Sequence, residues 1–478
     1  MTISDQPTTK HARIAVVGAG IAGLAAAHRL VELAPHCELV LLESGPRLGG
    51  VLWTVHEQGF QVEQSADNFI TTVPWGLDLC RRLGLGDQLI QTNPAFRHTF
   101  VVRKGRLHLL PDGFLMMAPT RMWPLATTPI LSPLGKLRAA MEYFIPPRTD
   151  DADESMAAFV RRRLGREVFD RLVEPLVSAV YAADLEKLSV EATLSRFREM
   201  EREHGSLIRA MRRQMKARKT QAAASESGAR YSMFVTLEGG LSSMVDAIAA
   251  RLPEGAVRLE TPVERIDHAE EGAWTLALGG KAAGTAETFD AVILATPSHV
   301  AARLLGPIDR ELGDLLAGIE HSGTAIVSVA FDRDQVAHPL DGMGVVIPAV
   351  EQSPVLAISL SSQKYPHRAP EGKVLLRAFV GGARHPEMVD LDDEALRGVV
   401  LSETAKLLGT RGEPCYTTIA RWPGTMPQYH VGHRERVARI RQLLANHPGL
   451  DLAGNAYQGV GIPDCIDTGE KAAERAKN

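Results

Sequence analysis

The sequence predicts an α/β protein in which a parallel-sheet domain is joined to a mixed-sheet domain and to a helical region. Three observations carry this expectation. Arg13–Val17 is a short run rich in Val and Ile, as suits a strand buried on both faces of a parallel sheet. It enters Gly18-Ala19-Gly20-Ile21-Ala22-Gly23, and Glu43 follows twenty residues after Gly23. Strand-like runs then recur between residues 257 and 380, while the stretch from about 95 to 215 reads as broken helices.

The glycines have separate tasks. Gly18 permits a tight turn, Gly20 lets a pyrophosphate approach the backbone, and Gly23 lets the next helix pack close to the strand. That helix is predicted over Ile21–Leu33, with Ile21 and Ala22 in its first turn. Its free N–H groups and positive dipole end suit phosphates. Glu38–Leu42 reads as the second strand. Glu43 at its end, followed by Ser44, can accept hydrogen bonds from a ribose 2′-hydroxyl and would repel a 2′-phosphate. Strand, glycines, helix, strand and acid in this order point to a bound dinucleotide.

Composition narrows the class. The chain has 478 residues, enough for two or three domains, and is 45% hydrophobic and 23% charged. A net charge of −4 gives no basic footprint for nucleic acid. Cys37, Cys80, Cys415 and Cys465 lack CxxC or metal-ligand spacing, so free thiols in a reducing compartment and no metal are expected. The first twelve residues are polar with no secretory h-region, and no run of eighteen apolar residues suggests a spanning helix.

The remaining elements follow in order. Gln61–Ile70 reads as a strand running into a loop. Leu107–Met117 is apolar but broken by Pro111 and Gly113, and Leu134–Phe144 reads as a helix. This region either lies on a membrane surface or forms a helical subdomain lining an apolar pocket, and the two are compatible. A helix begins near Asp153, with Arg161-Arg162-Arg163 on a solvated face or against anionic lipid. Residues 207–219 form a basic helix and Thr220–Gly228 a small, polar loop. Strands are expected at Val257–Ile266, Trp274–Leu278 and Phe289–Ala295. Four more, Ala325–Phe331, Gly344–Ile347, Val355–Leu360 and Val374–Val380, suit a mixed sheet. A last strand at Leu450 passes through a Gly-rich turn into a helix, setting a second helix N-terminus near the cofactor.

Arg47-Leu48-Gly49-Gly50 resembles the R-x-G-G turn of glutathione-reductase-like FAD proteins of the amine oxidase type. More specific are Ser178–Asp184 with Leu188-Ser189-Val190, Met200–His204, Glu238–Leu241, Arg421-Trp422-Pro423 with Met426–Tyr429 and Gly432-His433, and Gly454–Tyr457 with Gly459-Val460-Gly461 and Asp464-Cys465-Ile466. Together they make nearly the whole chain similar to the oxygen-dependent, bacterial branch of the protoporphyrinogen oxidases.

The resemblance implies an FAD-binding Rossmann-like domain (1–90, 216–300 and 436–478), a helical membrane-associating domain (91–215) and a substrate-binding domain (301–435). It implies non-covalent FAD, a porphyrinogen substrate, molecular oxygen as acceptor, and a cytoplasmic enzyme peripherally attached to the membrane; a homodimer is compatible with it. Protoporphyrinogen IX would be oxidised in three two-electron rounds with release of hydrogen peroxide. The flavin carries that chemistry, in keeping with the lack of a catalytic nucleophile or acid/base pair in the sequence.

Residue by residue, the resemblance carries Gly18, Gly20, Gly23, Glu43, Arg47, Gly49 and Gly50 to FAD. It places Val263 by the adenine, and Val460, Gly461 and Ile462 by the isoalloxazine. Ala179 matches a small residue at the pocket wall, with plain helix packing as the alternative. Some members carry an Arg for a substrate propionate where this chain has Phe69-Ile70-Thr71-Thr72, so Thr71 takes that place. Arg97 is then the expected carboxylate partner, since a guanidinium fork matches a carboxylate; a surface Arg is the alternative. His98, His204, His430 and His433 are expected to be structural. The Ser65-Ala66-Asp67-Asn68 loop departs from the family pattern and leaves coproporphyrinogen III as an alternative substrate. A flavin amine oxidase, or a non-catalytic FAD-fold binding protein, are the other readings.

Overall fold

A computed structural model describes residues 12–119, 121–222 and 233–477. The polar N-terminal stretch to residue 11 and most of the Thr220–Gly228 loop lie outside the described residues; 220–222 close the helix Leu207–Ala222.

Five parallel strands form the first sheet, in the order Val257–Arg258, Glu38–Leu42, Arg13–Val17, Ala291–Leu294 and Leu450–Leu452. Alternate residues serve opposite faces, as a pleated strand requires. Ile14, Val16, Leu39, Leu41 and Ile293 enter the core under the helices. Ala15, Val17, Val40, Leu42, Val292 and Leu294 enter the core beneath a three-stranded antiparallel sheet, Val263–His268, Trp274–Leu278 and Thr285–Phe289. The first helix, Ile21–Leu33, packs on the C-terminal helix, Ile462–Ala476. Gly469 permits the contact, because a Cβ there would lie 2.1 Å from the Ala22 carbonyl oxygen.

The second sheet has seven strands, ordered Tyr416–Pro427, His321–Asp332, Lys373–Gly381, Val355–Leu360, Gly344–Val346, Thr99–Arg103 and Arg106–Leu109. The last two come from the segment expected to be helical. Tyr416–Pro427 pairs along His321–Asp332 despite its Pro and Gly, the register shifting between Ser322 and Thr324; a bulge accommodates such residues at a sheet edge. Helix Asp393–Leu408 covers one face through Leu396, Val400 and Leu407. Val101, Val346, Ala357 and Phe379 on the other face meet a helical cluster built on Phe159, Phe169, Leu172 and Phe197.

The solvated face expected for Arg161-Arg162-Arg163 is corrected at Arg163, whose side chain is fully buried. It pairs with Glu142 and takes the carbonyls of Ile145 and Gly205, both at 2.9 Å. Arg162 bridges Glu154 (2.6 Å) and Glu201 (2.5 Å), and Arg198 also reaches Glu201 (2.5 Å). Three successive helical positions point in three directions, and the third turns inward because Glu142 and Glu201 meet it there.

The helix Pro133–Ala140 and the turn Met141–Phe144 are inverted in polarity. Arg138 points inward to the carbonyls of Arg161, Arg162 and Arg163. Leu134 (78% exposed), Leu137, Met141 and Phe144 (79%) face solvent. Among the described residues no helix is long and apolar enough to cross a membrane.

Candidate active site

The N-terminal cradle is shaped by what its glycines exclude. Gly18 has φ +97°, and a Cβ on Gly23 would fall 1.8 Å from the Gly18 carbonyl oxygen. Both serve the close approach of helix to strand. Gly20 differs: it caps the helix in an ordinary extended conformation, and a Cβ there meets nothing within 4 Å. The space above it is therefore open, as a pyrophosphate at this helix N-terminus requires. Glu43 closes the second strand, its carboxylate accepting from the Ala19 and Gly45 N–H groups, both at 2.7 Å, and from Ser44 Oγ at 3.2 Å. The acid is thus fixed beside the glycine loop.

The R-x-G-G turn is sewn to that loop. Gly49 N–H donates to Ala19 O (2.8 Å), and a Cβ on Gly50 would lie 3.0 Å from Gly20 Cα. Arg47 holds the turn closed, donating to Gly50 O (2.6 Å) and Leu48 O (3.1 Å), with its guanidinium 4.8 Å over the Trp53 ring. Val263 is buried at the start of its strand, next to the link from Thr261 N–H to Glu43 O (2.8 Å).

The C-terminal turn reaches the same region from the far end of the chain. Gly461 caps the helix Ile462–Ala476, Ile462 enters the core under the first helix, and half-buried Val460 packs against the helical cluster. Ala179, half-buried on helix Glu174–Tyr181, packs at the edge of that same cluster. Two distant motifs lock this corner. Gln428 Nε2 donates to Tyr181 O (3.3 Å) and Ser322 Oγ (3.0 Å), and Tyr429 OH donates to Asn455 O. Asn455 Nδ2 in turn donates to Thr425 O (3.1 Å). Burial, reinforced by the nearby Asp464 carboxylate, pushes the Tyr181 phenol up to about 12. Burial also raises Asp464 and pushes the Cys465 thiol up to about 12. Cys465 is a free thiol in the core under the first helix.

His433 is buried and stacks on Tyr429 with ring centroids 4.0 Å apart. Arg97 lies exposed after the turn Pro94–Phe96. No hydrogen bond or ion pair among the described residues joins it to Ala179 or Val460. Thr71 is half-buried, its N–H donating to Met233 O (3.0 Å).

Sequence reasoning missed Lys364, Arg368 and Arg377, which gather round Asp67 of the Ser65–Asn68 loop. Nothing local signals them, since they lie some three hundred residues further along the chain.

An open helix N-terminus, an acid at the end of the second strand and a second glycine turn over a helix define a dinucleotide-binding fold. The model of the flavin containing amine oxidoreductase family matches residues 21–477, and the chain belongs to that family. It is 35% identical over 468 residues to the coproporphyrinogen III oxidase of Bacillus subtilis (strain 168), covering 97% of each chain. It is 29% identical to the chloroplastic protoporphyrinogen oxidase of Nicotiana tabacum, covering 95% of this chain and 83% of that one. A crystal structure from Exiguobacterium sp. 255-15, provisionally named a protoporphyrinogen oxidase, matches with TM-score 0.85 and 33% identity over 97% of this chain and 98% of that one. The chain is thus a flavoenzyme and its cofactor is FAD, as the R-x-G-G turn and the resemblance led one to expect. The residues present fit that group: Gly20 leaves the opening, Gly18 and Gly23 shape it, and Glu43 supplies the acceptor.

Proposed function

We propose that this chain oxidises a porphyrinogen to the corresponding porphyrin, with coproporphyrinogen III as its substrate and molecular oxygen as the final acceptor. The observation that carries the reading is near full-length similarity to a bacterial enzyme of that name, at higher identity than to the plant protoporphyrinogen oxidase. Bound FAD supplies the two-electron acceptor. The chain's own residues orient and enclose: Ala179 and Val460 keep the edge of the helical cluster narrow and apolar, and Tyr181, Gln428 and Asn455 hold the turn behind it. Removal of six hydrogens in three rounds, each passed to one oxygen molecule, yields three hydrogen peroxides per porphyrin. Protoporphyrinogen IX is the second reading, favoured by the name of the Exiguobacterium structure.

Parallel assays of both porphyrinogens, following porphyrin fluorescence and peroxide, test this. A larger kcat/KM for coproporphyrinogen III is expected, with one peroxide per two electrons; turnover of neither substrate overturns the proposal. Arg97→Ala should raise KM more than it lowers kcat, and an unchanged KM removes Arg97 from carboxylate binding.

The same proposal sets the enzyme on the cytoplasmic membrane surface through Leu134, Leu137, Met141 and Phe144, with exposed Trp123 nearby in sequence. Apolar side chains turned to solvent on a helix whose arginine points inward fit an interfacial face. Leu137→Asp with Phe144→Asp should abolish co-sedimentation with anionic phospholipid vesicles and leave flavin content unchanged. Wild-type protein that ignores such vesicles contradicts this part.

A further inference from the structure

The loop Gln64–Asn68 is tied through its neighbours to both the R-x-G-G turn and the Gly459–Gly461 turn. Gln64 N–H donates to Trp53 O (2.8 Å), and Trp53 lies under the Arg47 guanidinium of the R-x-G-G turn. Trp422 Nε1 donates to Gln64 O (2.6 Å), and three residues further along that strand Thr425 O receives Asn455, which leads into the Gly459–Gly461 turn.

Behind this loop sits an unbalanced group of buried charges. Asp67 receives Lys364 Nζ at 3.1 Å and faces the Nη1 atoms of Arg368 and Arg377, each at 3.5 Å. Glu63 is 3.7 Å from Arg368 Nη2. Three cations therefore meet two carboxylates. Burial pushes Glu63 upward, although Arg368 opposes this, and it lowers Lys364, although Asp67 opposes that. Arg377 is 1% exposed, and its Nε and Nη1 have no hydrogen-bond partner among the described residues. Its guanidinium lies 5.4 Å over Phe379, which borders the helical cluster that Ala179 and Val460 also border. Arg368 Nη2 donates to Asp67 O (2.9 Å) and Arg377 Nη2 to Ser65 O, which ties loop to sheet; that tie does not call for the cation in excess that this group keeps in a site of low dielectric.

We propose that Lys364, Arg368 and Arg377, set against Asp67 and Glu63, form a buried electropositive mount that raises the reduction potential of the bound flavin. Uptake of two electrons and one proton by the cofactor adds one negative charge to it. A cation held out of solvent favours that form through the intervening protein, because little water screens the interaction. These are positioning residues: they act through the field and touch neither substrate nor reacting atoms. The inference rests on bound FAD and is independent of which porphyrinogen is oxidised.

Holoenzyme variants test it without substrate. Arg377→Met and Lys364→Met each remove a charge at similar length, and Asp67→Asn adds one net positive charge. Spectroelectrochemical titration should shift the midpoint down for the first two and up for Asp67→Asn. Sulfite, which adds to flavin to give an anion, supplies a second reading: its dissociation constant should rise about tenfold in the methionine variants and fall in Asp67→Asn. Potentials and sulfite affinities that stay at the wild-type value while only the melting temperature falls overturn the mount and leave a structural staple. Should Arg377→Met not hold flavin, partly exposed Lys364 gives the same reading through Lys364→Gln. A Lys364→Gln potential equal to wild type overturns the proposal too.

Discussion

The cradle at Gly18–Gly50 and the corner around Asp67, Tyr181 and Gln428 are built in opposite ways. The cradle is local. Its named parts lie within the first fifty residues, Gly23 acts on Gly18 and Gly50 on Gly20, Ala295 and Val245 approach from further along the chain, and backbone does most of the work. The corner is assembled from segments hundreds of residues apart, and side chains do the work. The cradle therefore specifies a cofactor that many proteins share, whereas the corner is where this chain is particular.

The sharpest way to separate the parts is inside the cradle. Gly23→Val should destabilise the apoprotein by more than about 4 kcal/mol, since its Cβ collides with backbone. Gly20→Val should leave apoprotein stability within about 1 kcal/mol, yet the protein should purify colourless. Thermal melts with flavin absorbance check both, and a yellow Gly20→Val protein removes the pyrophosphate assignment.

In the helical cluster, Arg163→Met strands Glu142 in the core and should cost about 3–5 kcal/mol. Denaturant titration measures it, and a neutral outcome would make the buried pair incidental.

Near the corner, His433 supplies a pH signature. Burial lowers its folded-state value to about 4. A group depressed in this way adds stability that is present above its unfolded value, near 6.5, and is lost as pH falls toward about 4. His433→Phe, which keeps the stack on Tyr429, should flatten that part of the stability–pH curve by up to about 3 kcal/mol. Asp67 acts lower still. Burial alone would raise it, but Lys364, Arg377 and Arg368 hold it well below the usual carboxylate range, so its contribution drains away only as pH falls below that range.

The smallest expected effect is Glu43→Gln. It keeps the acceptor shape and loses the charge, and should weaken FAD binding about tenfold.

These contrasts also explain what the sequence disclosed. The first helix and second strand fall where periodicity sets them, Ile21–Leu33 and Glu38–Leu42, because glycine spacing and apolar runs are local signals. Tyr416–Pro427 went unread as a strand because Pro423, Gly424 and Pro427 look like punctuation, and the pairing that overrides them comes from His321–Asp332. Arg163 looked solvated because helical position alone does not say that Glu142 waits on the other side. Asp67 stood out only as a departure from a pattern; its three cations belong to a short helix, a turn and a strand whose approach no spacing rule encodes.

The most direct measurement is one anaerobic turnover. Holoprotein mixed with coproporphyrinogen III in the absence of oxygen should bleach its flavin absorbance while porphyrin fluorescence stays low, since one flavin takes two of the six electrons, and admitting oxygen should restore the yellow form with peroxide and full porphyrin fluorescence. Flavin that stays oxidised with both coproporphyrinogen III and protoporphyrinogen IX would contradict the account.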